Sequence, residues 1–322
     1  MPTVSIIIPV YNVSSYLTEC LNSIKNQTFK DWEAIIIDDG STDSSAIICD
    51  EYSKTDKRFR VIHQKNEGAA KAKNVGLNTV TGKYTAFVDS DDTVSPIWLE
   101  VALQNIGNSE VIEFGFNHHY TTGYKKPVYF SPATISAENY LNQYLDHWHC
   151  ALFWNKIFLS SVLKNVRFHQ ERRCIDDEFF TYKAISFSHS IVRISDVLYH
   201  YRQRRSGVMR NNSTLYQRTV DNIDILSERY RWIKTHFPKI AKYYLRHDVD
   251  TLLYLAQTQI FDSKSIFAFR KTSRFYFIEC LIHYPGKTTF YYSLKTLLYK
   301  KTNFNYTSKP TNTNTEYLDI FD

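Results

Sequence analysis

Through residues 1–116, short apolar runs alternate with amphipathic stretches. Val4-Ser-Ile-Ile-Ile-Pro-Val-Tyr11 reads as a strand closing on Pro9, and Ala34 to Ile37, Arg60 to His63 and Tyr84 to Val88 read as three more. Between the first two, Leu17, Cys20, Leu21 and Ile24 recur at i, i+3, i+4 and i+7, which predicts a helix with Ser14 as its cap. A second helix is expected through about Lys54, and an Ala-rich one opens at Gly68. A fourth spans Ile97 to Ile106, with Ser95 as cap and Pro96 at its first position. Glu110 to Phe116 adds a fifth strand. This alternation predicts an α/β fold: a mainly parallel sheet with right-handed crossovers, flanked by helices.

Beyond Asn117 the pattern turns aromatic and mixed. Helices are expected over Ser136 to Asp146 and Asp176 to Phe187, the second burying Phe179, Phe180, Tyr182 and Ile185. Ile191 to Ile194 and Val197 to Tyr201 read as short strands. From about Thr214 the chain reads as a helical C-terminal extension: Leu215 to His236, Lys239 to Phe261 and Ser265 to His283, broken at Pro238 and Pro285-Gly286. Residues 302–322, rich in Thr, Asn and Lys, read as a loose tail.

Composition narrows the class. Of 322 residues, 43% are hydrophobic and 22% charged, which sets a disordered chain aside and admits one large domain or a domain with an appendage. Cys20, Cys49, Cys150, Cys174 and Cys280 form no C-x-x-C pair and are odd in number, against a disulfide framework or a zinc site and in keeping with a reducing compartment. Met1-Pro-Thr-Val-Ser has no signal-peptide pattern, and no apolar run reaches the roughly 18 residues of a membrane span. A cytoplasmic protein is expected. The net charge of +6 is local: Lys264, Arg270, Lys271, Arg274, Lys287, Lys295, Lys300 and Lys301 face one acid, Glu279, within Ser263 to Lys301, so the remainder of the chain is close to neutral.

The chemistry gathers where the fourth strand ends. Tyr84-Thr-Ala-Phe-Val runs into Asp89-Ser-Asp-Asp92. Three carboxylates so close together are costly through repulsion and desolvation unless a cation shares them. Mg²⁺ and Mn²⁺ favour oxygen ligands, commonly carboxylates with phosphate oxygens and water. In an open α/β sheet, ligands lie at the carboxyl ends of the strands, where these aspartates would sit. A lone D-x-D is more often a solvated turn, and the surrounding motifs decide against that here. The G-x-G-x-x-G fingerprint is missing after the first strand, so a dinucleotide site is not expected.

Those motifs are Val4-Ser-Ile-Ile-Ile-Pro-Val-Tyr-Asn12, Gln27-Thr-Phe29, Ile37-Asp-Asp-Gly-Ser-Thr-Asp43, Asn66-x-Gly68 with Ala72-Lys73-Asn74-x-Gly76, and Asp89-Ser-Asp-Asp92. Trp154-Asn-Lys156, Ile175-Asp-Asp-Glu-Phe-Phe180 and Tyr199-His-Tyr-Arg-Gln-Arg204 follow. In this order they resemble the inverting family 2 glycosyltransferases of bacterial surface-glycan synthesis, with the Rossmann-like GT-A fold, over roughly residues 1–210. The resemblance implies a catalytic domain over 1–210, with a nucleotide-sugar half at 1–116 and an acceptor half at 117–210. It leaves the helical region 211–301 unassigned.

What the resemblance implies for single residues is specific. Pro9, Tyr11 and Asp39 line the nucleoside pocket, Tyr11 covering the base and Asp39 accepting from a uracil N–H. Asn12 and Ser90 join the donor set. Lys73 stands where the family more often has Arg, so its contact with base or diphosphate lacks a bidentate fork. Asp89 approaches the ribose or a metal-bound water, and Asp91 ligates Mn²⁺ or Mg²⁺, which neutralises the departing diphosphate. Asp177 is the expected base for the acceptor hydroxyl, with Glu178 in reserve because Asp176 replaces the usual Glu. Trp154, Asn155 and Asp176 are placed on the acceptor side. Tyr201, Arg202 and Arg204 match a loop that folds over bound nucleotide, and His200 is a weaker candidate for the metal.

The expected reaction is inverting transfer of a hexose or N-acetylhexosamine from a UDP-sugar to a glycan or lipid-linked acceptor, in capsule, lipopolysaccharide or exopolysaccharide synthesis. A nucleotidyltransferase would also hold Mg²⁺ on paired aspartates, but no Gly-rich triphosphate loop precedes these. The alternative of a non-enzymatic nucleic-acid or membrane binder rests on the basic, aromatic segment 263–301 and leaves the ordered motifs unexplained. That segment also suits an anionic inner-leaflet surface, or packing against another subunit in a homo-oligomer.

Overall fold

The computed structural model describes residues 1–120, 123, 125–170, 175–203, 215–258 and 263–283. The chain divides into two units, Met1–Tyr140 with Leu152–Arg210, and Leu141–Ala151 with Asn211–Asp322.

The first unit opens with β1 (Val4–Val10), α1 (Ser14–Lys25), β2 (Trp32–Asp38), α2 (Ser45–Thr55), β3 (Phe59–His63), α3 (Ala69–Leu77) and β4 (Tyr84–Phe87). The chain continues with β5 (Thr93–Val94), α4 (Trp98–Asn105), β6 (Val111–Tyr120), β7 (Lys125–Val128), β8 (Ala133–Ser136), α5 (Ala137–Gln143, whose residues from Leu141 on belong to the second unit), β9 (Lys156–Leu159), α6 (Asp176–Ser186) and β10 (Ser190–Gln203). The sheet runs β3-β2-β1-β4-β9-β6-β10-β5, with β7 on β6 and β8 on β10.

From β3 to β4 every pairing is parallel. All residues of β2 are buried, as a parallel strand covered on both faces requires. Helix α3 lies so close to the sheet that a Cβ on Gly76 would stand 2.5 Å from Ile7 Cγ2, which explains a glycine inside a helix. The expected sheet is corrected beyond β4: β9 enters antiparallel between β4 and β6, and β5, β7 and β8 also pair antiparallel, so the whole is mixed. The two strands read at 191–201 are one, β10, with register shifts between Arg193 and Tyr199 that account for the break in its pattern. Ser14 is not the cap of α1 but its first residue, and its N–H donates to Asp43 from the next loop at 3.0 Å.

The β9 insertion is held by charge. Lys156, Glu113 and Arg193 are neighbours in register on β9, β6 and β10. Lys156 Nζ lies 3.1 Å from Glu113 Oε1, Arg193 Nε lies 2.7 Å from Oε2, and Tyr140 donates its hydroxyl to Oε1 at 2.7 Å. Lys156 and Glu113 are 0% exposed, so this group stands only because its partners are all in place.

The second unit contains α7 (Leu215–His236), α8 (Ala241–Thr258) and α9 (Ser263–His283). Arg229 of α7 pairs with Asp248 of α8 at 3.2 Å, and Tyr276 of α9 donates to the same carboxylate at 2.6 Å, all three buried. Lys234 and Tyr230 of α7 both reach Glu279 of α9. Among the described residues no helix is long and apolar enough to cross a membrane.

Candidate active site

Strand β10 holds the acidic turn that follows β4. Asp92, 1% exposed, accepts the Arg202 N–H at 2.7 Å on Oδ1 and the Tyr199 hydroxyl at 2.8 Å on Oδ2. That hydroxyl accepts in turn from the Asp89 N–H at 3.1 Å, and the Asp92 N–H closes the turn on the Asp89 carbonyl. Asp92 is committed to structure, while Asp89 and Asp91 remain the partly exposed carboxylates of the turn. Ser90 between them is buried.

Alternation along β10 sends Tyr199 and Tyr201 to one face, where both stack on Trp154 with ring centroids 4.6 and 5.3 Å apart. His200 faces the other way, 3.2 Å from the Asn117 side chain, and burial followed by Lys125 pulls its pKa down to about 4. It therefore does not join the carboxylates. The Arg202 guanidinium donates to the Asp91 carbonyl at 2.8 Å, pairs with Glu19 at 2.5 Å and lies over the Tyr16 ring. In this arrangement Arg202 braces β10 against α1 rather than standing open to a diphosphate. Arg204 lies outside the described residues.

Opposite the turn stands the first turn of α6. Phe180 of α6 stacks on Phe168 at 4.0 Å, and both meet Phe87 of β4 edge-on at 5.5 Å, with Phe153 completing the cluster. Because Phe87 is two residues from Asp89, this packing aims Asp176 and Asp177 at the end of β4. Lys73 of α3, 4% exposed, joins the two sides. Its ammonium pairs with Asp176 at 2.6 Å and sits 4.4 and 4.6 Å from the centroids of Phe153 and Phe168. Burial opposes that charge, but Asp176, Asp177 and Asp89 outweigh it and hold the lysine pKa above its usual value. Glu178, the reserve candidate, also lies in this first helical turn.

The electrostatics agree on one shared space. Burial raises the Asp177 pKa, Asp176 and Asp89 raise it further, and Lys73 opposes them. Burial raises that of Tyr201, with Asp92, Asp89, Asp91 and Asp177 all adding to it. Burial, then Asp91 and Asp89, raise that of Asp92. A cation relieves this kind of mutual repulsion, and the donor atoms at Asp89 and Asp91 are hard oxygens. These residues fit a divalent ion.

At the ends of β1 and β2 the nucleoside candidates come together. Pro9 pairs with Ile37 within the sheet, and Tyr11 is 49% exposed beyond it. Asn12 adopts φ +49°, which Asn tolerates, and its Oδ1 accepts from the Thr42 N–H at 2.8 Å. Asp39, 3% exposed, accepts from Gln64 Nε2, the Glu67 N–H and the Gly68 N–H at 2.7, 2.9 and 2.8 Å. Three of about four acceptor positions on that carboxylate are thus engaged in shaping the loop.

Trp154 and Asn155 are not brought to the surface of the site. Trp154, 3% exposed, backs the tyrosines, and Asn155, 0% exposed, accepts from Lys156 Nζ at 2.8 Å. Asp176 lies in the site but is tied to Lys73. The sequence motifs do not single out Tyr199 or the bracing role of Asp92; the period-two spacing of Tyr199 and Tyr201 is the available signal.

The family model described as glycosyl transferase family 2 matches residues 5–167. The chain is 34% identical over 220 residues to the putative glycosyltransferase EpsH of Bacillus subtilis (strain 168), covering 65% of this chain and 63% of EpsH, a little under two thirds of that relative. It is 34% identical over 225 residues to the glycosyltransferase GlyG of Streptococcus pneumoniae serotype 4 (strain ATCC BAA-334 / TIGR4), covering 66% of this chain and 74% of GlyG. Among solved structures, S. aureus TarS 1-349 in complex with UDP-GlcNAc matches with a TM-score of 0.71 at 22% identity, covering 92% of this chain and 90% of that chain. That last likeness is one of fold.

Proposed function

Because the chain belongs to glycosyl transferase family 2, we propose that it moves a hexose or N-acetylhexosamine from a UDP-sugar to a hydroxyl of a glycan or lipid-linked acceptor, with inversion, in the synthesis of a bacterial surface polysaccharide. The observation that carries this reading is the placing of Asp89 and Asp91 at the end of β4, with Asp89 within the electrostatic reach of Asp177 on α6 and all three acting on Tyr201. The choice of UDP is supported by the acceptor chemistry of Asp39 and by the fold shared with a UDP-GlcNAc complex.

In this reading Tyr11 covers the base, and the remaining acceptor position of Asp39 takes the uracil N–H. Asp89 and Asp91 would hold Mn²⁺ or Mg²⁺, which would supply positive charge to neutralise the diphosphate. Asp177 takes the proton of the acceptor hydroxyl as its oxygen bonds to the anomeric carbon. The bond from that carbon to the diphosphate breaks with both electrons going to UDP, so an α-linked donor gives a β-linked product. Lys73 fixes Asp176 and keeps α6 in register with the acidic turn.

The test is the anomeric configuration of the product by NMR, together with the rate of Asp177→Asn. A β-product is expected, with kcat lowered on the order of 10²- to 10⁴-fold and donor affinity kept within a few-fold. An α-product, or a wild-type rate in Asp177→Asn, would overturn the proposal.

A further inference from the structure

Helix α9 carries two stripes. One is buried: Ser265, Ala268, Phe269, Thr272, Ser273, Tyr276 and Cys280 recur every three or four residues and face α7 and α8. The other is exposed: Phe267, Arg270, Lys271, Arg274, Ile278, Leu281 and Ile282 follow the same period along the opposite side. Their spacing covers about 22 Å of helix at ~1.5 Å per residue.

The distribution of side chains between the stripes is unusual. The buried stripe takes two serines and a threonine, while Phe267 stands 71% exposed, Ile278 52%, Leu281 44% and Ile282 65%. Elsewhere among the described residues, large apolar side chains that stand exposed are scattered over other elements, such as Tyr11, Ile47, Ile97, Tyr129 and Phe187. A concentration of them on one helix face marks an interaction surface rather than chance exposure. The charge on this face has one sign. Arg270, Lys271 and Arg274 are exposed between the apolar ends, and the helix's one acid, Glu279, is turned to Lys234 and Tyr230 of α7.

We propose that this face of α9 binds the surface of an anionic lipid bilayer, with Phe267, Ile278, Leu281 and Ile282 entering the acyl boundary and Arg270, Lys271 and Arg274 meeting lipid phosphates. Charge complementarity selects this occupant. A second copy of the same face would bring three cations against three, and a nucleic acid would leave the isoleucines and leucine in water. The proposal concerns a helix of the second unit and does not depend on which sugar is transferred.

The test is co-flotation of the full-length protein with vesicles of phosphatidylcholine alone or with about one quarter phosphatidylglycerol, for wild type, Arg270→Glu/Lys271→Glu/Arg274→Glu and Phe267→Ser/Ile282→Ser. Each cation near an anionic surface is worth about a five-fold gain, so the three together predict binding on the order of 100-fold stronger to the anionic vesicles. The charge variant is expected to lose most of that gain, and the serine variant to bind at least about ten-fold more weakly. Both exchange exposed groups, so Tm and UDP-sugar turnover in detergent-free solution should match wild type. Wild-type binding by both variants would overturn the proposal. So would a loss of oligomeric state or a fall in Tm in the variants, because either shows that protein covers this face.

Discussion

Lys73 is the residue on which the two halves of the site depend. It gives up solvent to sit over Phe153 and Phe168, and it pairs with Asp176 at 2.6 Å. Lys73→Met keeps the stem and removes the charge, so Asp176 loses its tie and α6 its register. The expected result is a fall in kcat of roughly ten- to a hundred-fold with a smaller change in KM for the donor, partly rescued by Lys73→Arg. A rise in KM at unchanged kcat would return Lys73 to the donor side, where the motif alone had put it. A second residue gives a pH test. His63 lies 2.8 Å from Asp38 and 3.1 Å from Asp50, and chiefly the Asp38 bond raises its pKa above the usual 6.5. A raised histidine adds stability that is complete below its unfolded pKa and lost as pH rises through the folded one. The stability gap between wild type and His63→Asn should therefore be widest near about pH 5 and close by about pH 8.5, and it should stay under ~1 kcal/mol because the side chain is 47% exposed. Equal gaps by denaturant titration at both pH values would refute it.

At the scale of elements, the Trp154-Asn155-Lys156 motif shows what spacing conveys and what it does not. Its order in the chain was readable, but not the direction of its side chains: Lys156 opens β9 and turns inward to Glu113, which also holds Arg193. Four-residue β9 and two-residue β5 are too short for periodicity to announce them, and β7, with Lys125, Lys126 and Pro127, has no apolar run to mark it although it pairs at an edge. By contrast β1, β2 and β4 were legible because continuous apolar runs leave few alternatives. Glu113→Gln strands two cations and should cost about 3–5 kcal/mol in a denaturant melt. Gly76→Ala pushes a methyl into Ile7 and should cost about 1–3 kcal/mol, a neutral result arguing against the close approach of α3 to β1.

Over the whole molecule, the candidates at the strand ends were more legible in the sequence than those on α6, and the reason is physical. Tyr11, Asn12, Asp39 and Asp89 follow their strands directly, so the sheet places them once the strands are known. Asp177 reaches the same space through the stacking of Phe180 on Phe168 and its edge-on contact with Phe87, which no local pattern encodes. As proposed, these parts form one metal-assisted UDP-sugar site. The most direct measurement is UDP release from a panel of UDP-sugars, with and without Mn²⁺, for wild type and Asp91→Ala. Release from one donor that requires the ion, and that falls by on the order of 100-fold or more in Asp91→Ala, is the predicted result. Release that is indifferent to both the ion and Asp91, or no consumption and no calorimetric binding of any UDP-sugar in the presence of Mn²⁺, would contradict it.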